Sequence, residues 1–201
     1  MSSESPRREP TETTPAADAR TRILEATVVL SGRHGMSGFN VEAVASAAGV
    51  SRATIYRHFT GGREQMVTEA VAFEVGRFVD GLGLDDDGDL SLTDRLVQVL
   101  MRGRGEIAGH DVLGRLLVRE PEAVMARLES VQPIFQDVMA AALARHLERE
   151  DLRPEVEPTE AATHLARMVL SYVTSPGMWD LSDETQVRTL VDEELLGAIV
   201  A

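Results

Sequence analysis

The stretch NVEAVASAAGVSRATIYRHF, Asn40 to Phe59, constrains this chain most, because it reads as two short helices broken by one tight turn and has little to bury on its own. Val41, Val44, Ala45 and Ala48 recur at the i, i+3, i+4, i+7 spacing of one helical face. Asn40 stands just ahead of them as an N-cap, a side-chain oxygen for a free backbone N–H. Gly49 stops the helix, since it enters the left-handed region without the clash a side chain would bring. Ser51 then caps a second helix, in which Ile55 and Phe59 share a face while Arg52, Ala53, Thr54, Tyr56, Arg57 and His58 point elsewhere. A short helix with small residues at its start and Arg, Thr, Tyr and His outward suits the major groove of DNA. The same pairing also occurs as plain scaffold in all-α proteins, and spacing alone leaves both readings open.

A wider run decides between them. RILEATVVLSGRHG from Arg22, then NVEAVASAAGVS, then RATIYRHF resemble the first helix, the second helix with its turn, and the recognition helix of the TetR/AcrR family of transcriptional regulators. The pattern AxxAGVSxxTxYRHF is highly specific to that family. The resemblance implies an all-α fold of nine or ten helices, with an N-terminal three-helix DNA-binding domain and a C-terminal helical domain for ligand sensing and dimerisation. It implies that Tyr56, His58, Ser51 and Arg63 hold phosphates, and that Arg52, Ala53 and Thr54 lie nearest the base edges. The helix N-terminus behind Asn40 is a further anion site. Two departures stand out: Ser31 replaces the usual aromatic of the first helix, which suggests local repacking, and Gly61-Gly62 lengthens the connection before Arg63 by one residue.

A net charge of −13 sits uneasily with a nucleic-acid partner until its distribution is counted. Residues 18–65 hold six arginines and four acids, whereas residues 66–201 hold twelve arginines and twenty-six acids. The only net positive segment therefore coincides with the expected DNA reader, and phosphate binding depends on the local face. The acidic remainder limits non-specific affinity. Cysteine is absent, which removes disulfides, thiol catalysis and thiolate metal sites together. No window approaches about 18 uninterrupted apolar residues, and the start lacks a secretory core, so a cytoplasmic protein without a membrane span is expected.

In chain order, residues 1–17 read as a disordered tail, 18–65 as the DNA-binding domain and 66–201 as the sensing and dimerisation domain. The first helix is expected over Asp18 to His34 and the fourth from Arg63 to about Val79. GLGLDDDGDLS, Gly81 to Ser91, is the clearest boundary; Asp85, Asp87 and Asp89 alternate as in a calcium loop, but the twelfth-position Glu is missing, and a solvated loop is the better reading. Helices follow over Leu92–Ile107, His110–Arg119, Glu122–Leu128, Pro133–Arg149 and Pro158–Thr174, with a last one of about fifteen residues ending near Ile199.

No phosphate loop, nucleophile elbow or zinc-protease helix is present, so neither an enzyme nor a cofactor is expected. The pairs Glu160 with His164 and His146 with Glu150 lack the further ligands that would close a metal site. An effector pocket needs apolar walls with a few polar groups, and Met125, Phe135, Met139, Met168, Tyr172 and Trp179 are the candidates, although Met and aromatics at helical spacing more often fill ordinary core. Apolar stripes on the last two helices include Leu165, Val169 and Tyr172, then Leu190, Val191 and Leu195. In the family such a pair forms a four-helix bundle with its copy in a second subunit. The expected function is thus a homodimeric repressor on a palindromic double-stranded DNA operator, released by a small, partly apolar effector. Control by a protein partner, or by none, is the alternative, with a helical enzyme carrying an incidental N-terminal motif a more remote one.

Overall fold

A computed structural model describes residues 15–84 and 90–201, with side chains from Ala19 onward. The segment 1–14 of the expected tail, and Asp85, Asp87 and Asp89 of the acidic loop, lie outside the described residues. The described residues form nine helices: α1 Pro15–His34, α2 Val41–Ala48, α3 Arg52–His58, α4 Gly62–Leu82, α5 Leu92–Gly109, α6 Asp111–Arg119, α7 Pro121–Leu147, α8 Pro158–Thr174 and α9 Glu184–Leu190. A π-helical turn, Val191–Leu196, continues α9. The fold is all-α, as the sequence indicates.

Two apolar cores organise these helices. The first gathers Ile23, Val44, Ile55, Phe59 and Met66, all fully buried, from α1 to the start of α4. It also takes in Leu116 of α6 and Val124 of α7, so the C-terminal part seals the N-terminal one. The second core is built on Leu96, Leu100, Met139, Leu143, Leu165 and Leu190, where α7 and α5 pack on α8. Helix α4 runs from the first core at Met66 to the second at Leu82.

The small pair Ser31-Gly32 shapes the join. A Cβ at Gly32 would fall 3.0 Å from Cγ1 of Val112, so α6 lies directly against α1 at the place where Ser31 is buried. Thr27, also buried there, donates its hydroxyl to the Ile23 carbonyl at 2.8 Å and leaves no polar atom stranded.

Two expectations need correction. Pro133 does not open a helix but lies inside the 27-residue α7. The ring is exposed while Val131 and Phe135 are buried, so the carbonyl that loses its N–H partner can turn to water, and the apolar faces on either side keep the helix running. The last helix is likewise not uniform, because its second half widens into the π turn before Gly197. The chain end is tied back by Arg153, which donates to the carbonyls of Gly197 at 2.7 Å and Val200 at 3.1 Å.

Candidate nucleic-acid interface

The caps expected from the sequence are in place. The Asn40 side chain accepts from the Ala43 N–H at 2.9 Å, and Ser51 Oγ accepts from the Thr54 N–H at 3.1 Å. Between them Gly49 adopts φ 63°, and the Val50 N–H returns to the Ala45 carbonyl at 3.0 Å. That left-handed residue turns the chain between α2 and α3. Ile55 and Phe59 anchor α3 in the first core, and the orientation of the remaining side chains follows. Arg52, Ala53, Tyr56 and Arg57 are exposed, and Thr54 is half-buried.

Several of these side chains already have partners. The Arg52 guanidinium meets Glu42 of α2 at 2.5 Å and lies 5.5 Å from the centroid of the Tyr56 ring. Arg63 donates to the Ser37 carbonyl at 2.7 Å and to Glu64 at 2.8 Å, so it braces the link between α1 and α2. The Nε2 atom of His58 is enclosed without a hydrogen-bond partner, its ring tilted against Phe59. Sequence reasoning passes over two residues. Arg57 is an exposed cation, and Glu42 places a carboxylate beside Arg52. The first can be suspected from its position opposite Ile55; the second follows only once α2 and α3 are folded together.

Polar links bind this unit to the remaining helices. Arg119 donates to the Arg33 carbonyl at 2.7 Å, while the Glu120 carboxylate accepts from the Met36 N–H at 3.0 Å, so the α6–α7 corner grips the end of α1. Arg127 of α7 pairs with Glu64 of α4 at 2.8 Å and also bonds Thr68. His110 separates α5 from α6: its Nδ1 accepts from the Leu113 N–H at 3.2 Å as an N-cap, and its Nε2 reaches Glu74 of α4 at 3.2 Å.

Hydrogen bonding to Glu74 raises the His110 pKa from its ordinary 6.5 against the opposing effect of burial, and Glu106 of α5 adds to the rise. The same bond lowers Glu74 below its ordinary 4.5, with Arg77 assisting. A raised histidine stabilises the fold fully below its unfolded value and loses that contribution as pH rises through the folded one. Glu74 contributes above its unfolded value and loses its share as pH falls through the folded one. Both are in force between 4.5 and 6.5, where the protonated ring gives up its acceptor contact with the Leu113 N–H and keeps the charge-assisted bond to Glu74. The wild type should therefore lose more stability than His110→Asn between about pH 6 and about pH 8, since Asn retains the cap but does not titrate. Urea unfolding at the two pH values measures the difference; parallel losses would rule out this role for the pair.

The six pocket candidates do not converge. Phe135 and Met139 are buried core, Met125 is exposed near the start of α7, and Met168, Tyr172 and Trp179 are partly buried around the second core. Trp179 alone lines a groove of about 550 Å³ between α5 and the α8–α9 loop, together with Met101, Arg104, Gly105 and Pro176. The dimer stripe also requires correction. Leu165, Val169, Leu190, Val191 and Leu195 are buried within the protomer and offer no side-chain surface to a partner; Tyr172 is half-buried. An apolar stripe at helical spacing has the same pattern whether the protomer or a second subunit covers it. His146 directs Nε2 at the Leu84 carbonyl oxygen, 3.0 Å away, a contact that needs no metal.

Residues 23–70 match the family model of bacterial regulatory proteins, tetR family. No curated protein matches the chain. Solved structures similar to it include one assigned to the TetR-family transcriptional regulators of Mesorhizobium loti, 19% identical, with 94% of this chain and 100% of that one covered and a TM-score of 0.65. The SmeT–triclosan complex is 20% identical, with 91% and 92% covered and a TM-score of 0.58. NalD of Pseudomonas aeruginosa, the secondary repressor of the MexAB-OprM multidrug efflux pump, is 21% identical, with 92% and 98% covered and a TM-score of 0.51.

Proposed function

We propose that this chain, a TetR-family helix-turn-helix regulator by its N-terminal domain and fold, is a cytoplasmic repressor that binds a palindromic operator as a homodimer and leaves it when a small effector binds. The observation that carries the DNA reading is the outward face of α3. Two satisfied caps and two anchored apolar residues hold Arg52, Ala53, Thr54 and Tyr56 at the surface. Ligand control is supported by the polar links from α6 and α7 to α1 and α4, through which a shift in the C-terminal helices reaches the reader. SmeT, in a complex with triclosan, and NalD, an efflux-pump repressor, are structural neighbours consistent with that role.

Two readers on a two-fold axis meet successive major grooves when they are roughly 34–36 Å apart. An effector releases the protein if it binds more tightly to the form in which that spacing is lost. Selection of duplexes from a random pool at physiological salt tests the reading: a palindrome of two half-sites is expected, and a folded protein that enriches no sequence, with or without cell extract, would overturn it.

Within the complex, Tyr56 and Ser51 are assigned to phosphates, with Thr54 beside a base edge. Tyr56→Ala should weaken binding to selected and random duplexes alike, by about three- to tenfold, whereas Thr54→Ala should relax preference at one position of each half-site. Titrations of both variants on both duplexes check this. Equal losses from the two substitutions on the two duplexes would remove the division of roles.

A further inference from the structure

From the groove between α5 and the α8–α9 loop, we infer that the effector is a small amphipathic monocarboxylic acid, its carboxylate on Arg104 and its apolar body over Trp179, Met101 and Pro176; this rests on the ligand-controlled reading above. The volume of about 550 Å³ lies in the range of small-molecule sites. Its walls divide by chemistry. Met101, Pro176 and Trp179 supply apolar surface, and Gly105 leaves open space, with nothing beyond its own helix backbone within 4 Å of where its Cβ would lie. The contrast with Gly103 is instructive, since a Cβ there would fall 3.0 Å from Val173: one glycine of α5 is required by packing, the other opens the groove.

Arg104 is the only cation on this lining. It is half-buried, and among the described residues it makes no ion pair or hydrogen bond. A partly desolvated guanidinium without a partner favours a carboxylate that can accept two parallel bonds. The other charged wall residue does not supply one. Asp180 accepts from the Ser182 N–H at 2.9 Å and from its hydroxyl at 2.6 Å. One arginine beside that acid, in a chain of charge −13, disfavours phosphates and other multiply charged anions.

The floor is firm enough to hold a ligand in register. The Trp179 N–H returns to the Pro176 carbonyl at 3.1 Å around Gly177, the Asp180 N–H donates to Gln186 at 3.2 Å, and Leu181 is sunk in the second core. The lining extends along α5 to Ala108, two residues before His110, which caps α6 and bonds α4. A ligand seated here thus touches the last turn of α5 directly ahead of the joint between both domains.

Trp179 is the only tryptophan of the chain, so its emission reports the groove without a label. The test titrates the full-length protein, free of DNA, with 4-phenylbutyrate and decanoate, and with 4-phenylbutyramide and inorganic phosphate as comparisons. Saturable changes are expected with both acids, a weaker one with the amide, and none with phosphate. Arg104→Gln should weaken the acids by about tenfold and leave the amide within about twofold, as expected when one charge-assisted contact is lost. Gly105→Leu, which fills open space, should weaken acids and amide together. No saturable change with either acid at millimolar concentration, equal losses of acid and amide in Arg104→Gln, or intact binding in Gly105→Leu would each overturn the inference. Because these titrations contain no DNA, their failure is separate from a failed duplex selection.

Discussion

Phe59→Ala is expected to lower the unfolding free energy of the N-terminal core by about 3–5 kcal/mol and to abolish operator binding. The ring is fully buried at the end of α3, in the core that also holds Ile23, Ile55 and Met66. One face of the ring is covered by Arg20, whose guanidinium lies 5.1 Å from the ring centroid and which also pairs with Glu69 of α4. Truncation removes the transfer free energy of the ring and leaves a cavity that the surrounding helices cannot close without moving α3. The Phe59 N–H also ends the helix on the Ile55 carbonyl at 2.8 Å, so displacement there shifts the outward face. The second core shares none of these side chains. Thermal unfolding followed by circular dichroism should therefore show an early loss of part of the helical signal, with the rest melting near the wild-type temperature. A single transition shifted by less than about 1 kcal/mol would mean that the site collapses around the smaller residue.

Much of this architecture is legible in the amino-acid sequence, and what is legible is local. Asn40, Gly49 and Ser51 act over three or four residues of chain, and each makes the bond its position calls for. Ile55 and Phe59 can be assigned to the core because a helix fixes which residues share a face. What depends on the meeting of distant elements is not legible in this way. Leu165 and Leu190 have the same spacing whether buried by their own protomer or by a second one, and only the packing of α5 and α7 around them decides. Pro133 reads as a helix start because sequence alone does not reveal that its ring lies on the exposed side of α7. The groove is hidden for the same reason: Arg104 and Trp179 come from elements 75 positions apart and have no common pattern. Arg63 illustrates a subtler limit, since a basic residue at a helix start fits a phosphate contact and a brace to the Ser37 carbonyl equally well.

The Arg52–Glu42 pair leads to the second large expected effect, a loss of discrimination. Both side chains are exposed, by 62% and 54%, and an exposed ion pair contributes little to folding. Its consequence is directional. Glu42 holds one side of the guanidinium and Tyr56 lies beside it, which limits the orientations Arg52 adopts before DNA arrives. A preset planar fork matches the two acceptors on the major-groove edge of guanine, and less ordering remains to be done on binding. Arg52→Ala should therefore reduce preference for one base pair in each half-site by roughly tenfold or more. Glu42→Gln should do two opposite things: raise affinity for random duplexes, because a negative charge beside the proposed DNA face is removed, and lower the preference at the position proposed for Arg52. In the double variant the Glu42 substitution should no longer alter base preference, since the group it orients is gone. Selection and competition titrations with the three variants separate these outcomes. Unchanged preference in Glu42→Gln would leave Arg52 to find the base unaided, and an equal loss on selected and random duplexes in Arg52→Ala would reassign it to a phosphate.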